Sequence, residues 1–313
     1  MNSKKAKFII LMFLFITLVG FLDLRQVLDV SLGLSNDLND TKSYFININI
    51  KLTNTDASFI GEKAYDNAGT SVAGIGDVNN DSYNDFLIGA PKNDQNGPSA
   101  GKIYLIFGQN SSWENNFNLG DANVSFLGEG SNHYAGWDLA GAGDMNNDSF
   151  DDFIISAYNY NENFKYSIGK IYLIFGREKG WKNNVSLKNA NASFIGEKSE
   201  DYAGYSVAGV GDVNCDGYDD ILIGTHCNNP EGTLMGKAYL IFGREKGWKN
   251  NVSLAYSNAS FLGETQGDRA GYSLSGAGDV NKDGYDDLLV SAKFQSFTGK
   301  IYLIFGKEKG WKN

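Results

Sequence analysis

Cysteine, histidine and proline are scarce in this chain: 2, 2 and 3 residues among 313. Two cysteines cannot make a disulfide scaffold. Cys215 and Cys227 flank one predicted strand, Asp220 to Thr225. Six extended residues span roughly 20 Å, against the roughly 7 Å between Cα atoms that a disulfide tolerates, so the two thiols are expected not to pair. His133 and His226 are the only imidazole bases, and neither belongs to a G-x-S-x-G or H-E-x-x-H pattern. Both read as surface loop residues, and no enzyme is expected. Walker and dinucleotide glycine patterns are missing, as is any helical period after residue 40. Clustered Lys and Arg are also missing, and with a net charge of −10 nucleic acid is excluded as a partner.

One stretch contrasts with the rest. Lys4, Lys5 and Lys7 precede an apolar run from Phe8 to Leu22. This has the form of an export signal and is short for a membrane span. No small-residue cleavage site follows it, so residues 1–30 read as a signal peptide or a retained N-terminal anchor. An anchor would be the chain's only link to a membrane. Either way the remainder lies outside the cell, with 31–56 as linker and lead-in.

What the chain has in plenty is glycine (38) and aromatic residues (13%), the composition of short strands and tight turns. They recur with a period. Asp77, Asp144, Asp212 and Asp279 open four copies of a GD-x-N-x-D segment, and GKIYLIFG or GKAYLIFG begins at Gly101, Gly169, Gly236 and Gly299. SFIGE or SFLGE begins at Ser58, Ser125, Ser193 and Ser260, and Trp113, Trp181, Trp248 and Trp311 share one place in the linker. Repeats near 57–123, 124–191, 192–258 and 259–313 each read as four strands. In the third copy these are Tyr205–Val210, Asp220–Thr225, Lys237–Phe242 and Ala259–Glu264. Four strands per period predict an all-β propeller of four-stranded antiparallel blades. A stacked β-solenoid is the alternative, disfavoured because solenoid coils are usually shorter.

Oxygen-bearing side chains stand at positions 1, 3, 5 and 9 of each Asp segment, and position 7 offers its carbonyl. The sets are Asp77, Asn79, Asp81, Tyr83, Asp85; Asp144, Asn146, Asp148, Phe150, Asp152; Asp212, Asn214, Asp216, Tyr218, Asp220; and Asp279, Asn281, Asp283, Tyr285, Asp287. Calcium takes six to eight oxygens, so up to four ions are expected. Magnesium suits so many protein ligands less well. An EF-hand is disfavoured because no helices flank the loops and no acidic residue stands at position 12. Gly217 and Gly284 suit the sharp turn at position 6, whereas Ser82 and Ser149 do not. Loops one and two are therefore expected to bind more weakly.

The unit SFIGE followed by AGYSVAGVGDVNCDGYDDILIGT resembles the FG-GAP repeat of integrin α-subunit propellers. Gly89, Ala90 and Pro91 spell the GAP in the first copy alone, and Phe59 and Gly61 stand near the FG position. The resemblance implies calcium in the loop between the first two strands of each blade, with partners commonly bound on the opposite face and rim. It implies seven blades, and this chain shows four. The segment Ala57–Glu62 offers a fourth strand to the last blade, so a closed four-bladed ring is the favoured expectation; part of a larger propeller, or pairing with another chain, is the alternative. The function expected is a calcium-braced binding or adhesion module with a protein or glycan ligand at the cell surface. A carbohydrate-binding or carbohydrate-active propeller and a surface-layer spacer are the alternatives. N-x-S/T triplets at Asn110, Asn123, Asn184, Asn191, Asn251 and Asn258 make glycosylation an expectation of little weight in so Asn-rich a chain.

Overall fold

The computed structural model describes residues 51–162, 164–227 and 234–311. The proposed export segment lies outside the described residues. The chain divides into two units, Met1–Asp56 and Ala57–Asn313. The described part of the first holds one short 3-10 turn, Leu52–Asn54. Among the described residues no helix is long and apolar enough to cross a membrane.

The second unit is built from short strands. The first is β1 (Phe59–Ile60). Blade one follows, with β2 (Val72–Gly76), β3 (Asp85–Ala90) and β4 (Lys102–Ile106), a linker strand β5 (Phe117–Asn118), and β6 (Val124–Leu127) on its outer edge. Blade two repeats this with β7 (Leu139–Gly143), β8 (Asp152–Ala157), β9 (Lys170–Ile174), linker β10 (Val185–Ser186) and β11 (Ala192–Ile195). Blade three has β12 (Ser206–Gly211), β13 (Asp220–Thr225), β14 (Lys237–Ile241), linker β15 (Val252–Ser253) and β16 (Ala259–Leu262). Blade four has β17 (Ala270–Gly278), β18 (Asp287–Ala292) and β19 (Lys300–Ile304). Within each blade the neighbours are antiparallel. The linker strands run parallel to the outer strand of the blade before: β5 on β1, β10 on β6 and β15 on β11.

The second strands of blades two and three are apolar on both faces because those two blades are covered on both sides. All six residues of β8 and of β13 are buried. One core cluster joins blades one and two through Ile75, Leu87, Phe126, Phe153 and Ile155. Others join blades two and three, and three and four. Full burial of each such side chain stabilises by roughly 1.5–3 kcal/mol, so the junctions are the main source of stability.

Closure into a four-bladed ring is not what the structure shows. β1 pairs with β5, and β19 pairs with β18 alone among the described strands. The reason lies in the stepping of the blades. Each inner strand packs against the next, β2 on β7, β7 on β12 and β12 on β17, and three such steps do not carry β19 round to β1. The surface position expected for His226 is also corrected. Its ring is buried, 4.0 Å from Tyr205 and 5.6 Å from Tyr272. His133 is half-buried against Tyr160, at 4.7 Å.

Candidate metal loops and the clasps between blades

Each Asp loop joins the first strand of a blade to the second, beyond a bulge in their pairing. The four loops are one structure drawn four times. The first Asp accepts two backbone N–H groups across the turn. For Asp77 these come from Asp81 (3.0 Å) and Ser82 (2.7 Å); for Asp212, from Asp216 (3.1 Å) and Gly217 (2.8 Å). Asp144 and Asp279 do the same. Oδ1 of Asn79, Asn146, Asn214 and Asn281 accepts the N–H of the Asp at position 5. Asp81, Asp148, Asp216 and Asp283 accept the N–H of Tyr83, Phe150, Tyr218 and Tyr285. These Asx turns hold positions 1, 3 and 5 on one side of the loop.

The Asp at position 9 is buried and bridges two strands. Asp152 accepts N–H groups from Met145 (3.0 Å) and Gly176 (2.9 Å), and Asp85, Asp220 and Asp287 are held alike. Burial pushes the Asp85 carboxyl up to about 6 and those of Asp152 and Asp220 up to about 8. The N–H bonds oppose the rise, and the nearby carboxylates at positions 5 and 1 add to it. Among the described residues no three carboxylate, thiol or imidazole groups already stand as a metal shell. The donor set nonetheless fits a hard cation. A carboxylate oxygen that accepts one N–H keeps a further lone pair, and a cation in the loop would remove the repulsion between its carboxylates.

Positive φ falls at two places in every loop. Ser82 (72°) and Ser149 (71°) adopt the same conformation as Gly217 (87°) and Gly284 (91°). Position 4 also has positive φ, at Asn80, Asn147, Cys215 and Lys282 (57–61°). Asn tolerates this conformation better than Cys or Lys. Loops one and two thus have the favourable residue at position 4, and loops three and four at position 6.

Asp151, Asp219 and Asp286 each stand immediately before the Asp at position 9 and serve a different purpose. Each reaches into the preceding blade. Asp77 N–H donates to Asp151 Oδ2 (2.8 Å), Asp144 N–H to Asp219 (2.8 Å) and Asp212 N–H to Asp286 (3.1 Å). The backbone returns the bond from Asp151, Asp219 and Asp286 to the carbonyls of Asp77, Asp144 and Asp212. The bulge glycine beside each of the first three loops makes room: a Cβ on Gly76, Gly143 or Gly211 would run into the carboxylate of Asp151, Asp219 or Asp286. The Glu of each SFIGE or SFLGE unit makes a second tie. Glu129 takes Lys170 (2.5 Å) and the Tyr172 hydroxyl (3.0 Å) of the following blade, and Glu62, Glu197 and Glu264 meet Lys102, Lys237 and Lys300. The indole N–H of Trp181 donates to the Arg177 carbonyl while its ring packs on Phe107 and Phe153. Among the Asn sites, Asn191 and Asn258 accept the N–H groups of Phe175 and Phe242, and Asn184 and Asn251 bond with Ser125 and Ser193. Their side chains are committed to the fold. Cys215 and Cys227 are free thiols.

At the strand ends away from the Asp loops lies a run of aromatic rings. Trp137, Tyr158, Tyr205 and Tyr272, all partly exposed, follow one another with centroids 4.5 Å, 5.9 Å and 5.3 Å apart. Blade one has Thr70 and Pro91 at the matching places.

Comparison with known proteins places these repeats. The FG-GAP repeat pattern matches residues 68–106, 135–174 and 270–304. The chain is 29% identical to integrin alpha-V of Gallus gallus over 258 residues, 81% of this chain and 22% of the relative. It is 27% identical to integrin alpha-8 of Gallus gallus over 258 residues, 80% and 22% of the two chains. It is also 29% identical to phosphatidylinositol-glycan-specific phospholipase D of Bos taurus over 171 residues, 53% and 19%. The matched region is thus about a fifth of these relatives.

Proposed function

Because the chain is an FG-GAP repeat protein similar to integrin alpha subunits, we propose that it is an extracellular binding module of the adhesion type, braced by calcium and without catalytic activity. One observation carries the calcium reading: four loops with the same acidic donor set, the same Asx turns and the same buried Asp at position 9. Positions 1, 3, 5 and 9 would supply side-chain oxygens, and position 7 its carbonyl. A bound cation neutralises carboxylates that otherwise repel one another, and its binding free energy adds to folding. The extracellular setting rests on the apolar run from Phe8 to Leu22. The non-enzymatic reading is supported by the two histidines, whose rings pack against those of Tyr160 and Tyr205.

Calorimetric titration with calcium tests this directly. Uptake approaching four ions is expected, with each site adding about 2.7 kcal/mol when calcium is a hundredfold above its Kd. A melting temperature unchanged by chelator, with no heat of binding, would remove calcium from the account.

A glycan ligand is the second reading, favoured by the aromatic run from Trp137 to Tyr272. Such rings offer apolar faces with polar edges. Binding on a glycan array that Trp137→Ala abolishes, with the melting temperature kept, supports this reading. An unaffected ligand would place the contact elsewhere.

A further inference from the structure

Each internal junction between blades carries the same set of fastenings, and blade four holds one half of every member of that set. Asp212 N–H meets Asp286, but no carboxylate stands against Asp279 N–H among the described residues, and a Cβ on Gly278 would touch nothing. The carbonyls of Val78, Met145 and Val213 accept N–H groups from Arg177, Arg244 and Lys307, and no such donor reaches Val280. Phe107, Phe175 and Phe242 pack on the Trp of the following blade, at 5.9, 5.8 and 6.0 Å. Phe305, the next in the series, is half exposed. Along β19, Ile301 is 72% exposed and Leu303 46%.

The missing halves stand on the opposite side of blade one. Gly141, Gly209 and Gly276 each pack against the inner strand of the blade before, whereas nothing lies within 4 Å of a Cβ on Gly74. Asn84 occupies the place of Asp151, Asp219 and Asp286, with Gln109 at that of Arg177 and Trp113 at that of Trp181. Sequence also matches along the open edge. β11 (Ala-Ser-Phe-Ile) pairs with β9 (Lys-Ile-Tyr-Leu-Ile) through Ser193↔Tyr172, Phe194↔Ile171 and Ile195↔Lys170. Residues 57–60 repeat the first string and β19 the second, residue for residue.

We infer that a second copy of this chain completes blade four. Its Ser58, Phe59 and Ile60 would pair with Tyr302, Ile301 and Lys300, its Asn84 would accept Asp279 N–H, and its Trp113 would cover Phe305. The same step that fails to bring β1 back onto its own β19 presents β19 to another chain. Two such head-to-tail junctions related by a two-fold axis close two arcs of four blades, and eight blades lie within the range that propellers adopt. The interface continues the junction already formed three times in the chain.

Disulfide trapping on the full chain tests this. Cys215→Ser and Cys227→Ser remove the native thiols. Ile60→Cys is then placed in one preparation and Lys300→Cys in another; both positions are at least partly exposed, so the fold should tolerate them. Mixed and oxidised, the two are expected to give a covalent species of twice the chain mass that neither gives alone. Sedimentation of the unaltered chain is expected to show a dimer. Absence of the mixed disulfide together with a monomer at every concentration overturns the inference. So does a double variant that cross-links within one chain.

Discussion

Blades two and four share a third strand of identical sequence, Lys-Ile-Tyr-Leu-Ile, at β9 and β19. In blade two all five residues are buried. In blade four Ile301 and Leu303 are exposed, and the Lys300–Glu264 pair is several-fold more open than Lys170–Glu129. The strand itself is the same; what differs is whether an outer strand and a following blade cover it. A repeat protein is stabilised by its neighbour contacts more than by its units, and the two copies let that statement be measured.

The largest difference is expected from Ile171→Ala against Ile301→Ala. Deleting a buried Ile costs about 2–5 kcal/mol, whereas an exposed change stays within about 0.5 kcal/mol. Urea melts of both variants, below the concentration of any self-association, check this; equal losses would mean that blade four is covered in the monomer. A middle-sized effect is expected from acid. Burial first, and the Arg269 charge second, hold His226 below the usual imidazole range, at about 4. The unfolded chain takes up this proton near pH 6.5 and the folded chain only near 4, so the His226 contribution to stability falls as pH drops through that window, by on the order of 3 kcal/mol at most, against the opposite contribution of the raised Asp85, Asp152 and Asp220 carboxyls. Blade two carries Tyr158 at the matching place, and His226→Tyr should flatten this part of the stability–pH curve measured by urea melts. The smallest effect concerns the loops. Lys282 in blade four holds the positive φ that Asn147 holds in blade two. Lys282→Asn should raise the thermal midpoint by the equivalent of a few tenths of a kcal/mol, up to about 1; a fall would show that the lysine makes a contact that matters more than its backbone.

Much of this was readable in advance. In the third copy the repeat marks the four blade strands to within two residues because each is a short β-branched or aromatic run between turn residues, while the linker strand Val252–Ser253 is not marked. In the third copy the expected Asp220–Thr225 is β13 itself. The ties between blades were not readable. Asp151 and Asp77 are 74 positions apart, and nothing local in Asp-Asp says that one carboxylate serves its own loop while its neighbour serves another blade. The closure was misread for a related reason. The match of residues 57–60 to β19 is real as a pattern, but a pattern cannot say whether the two strings meet in one chain. His226 was misread because its loop position suggested exposure, while the rings that bury it come from Tyr205 and Tyr272, 21 and 46 positions away.

The Glu–Lys tie and the Asp clasp share a property that bears on how such a protein can grow. In both, one blade supplies the hook and the next supplies the eye: Glu129 with Lys170, Asp144 with Asp219. Blades two and three each carry both parts of both ties. A tandem duplication of the stretch therefore inserts a blade that is already fitted to both of its neighbours, with no new interface to be invented. Lengthening the array is mechanically free at every internal position, and selection has only the two outermost faces to solve.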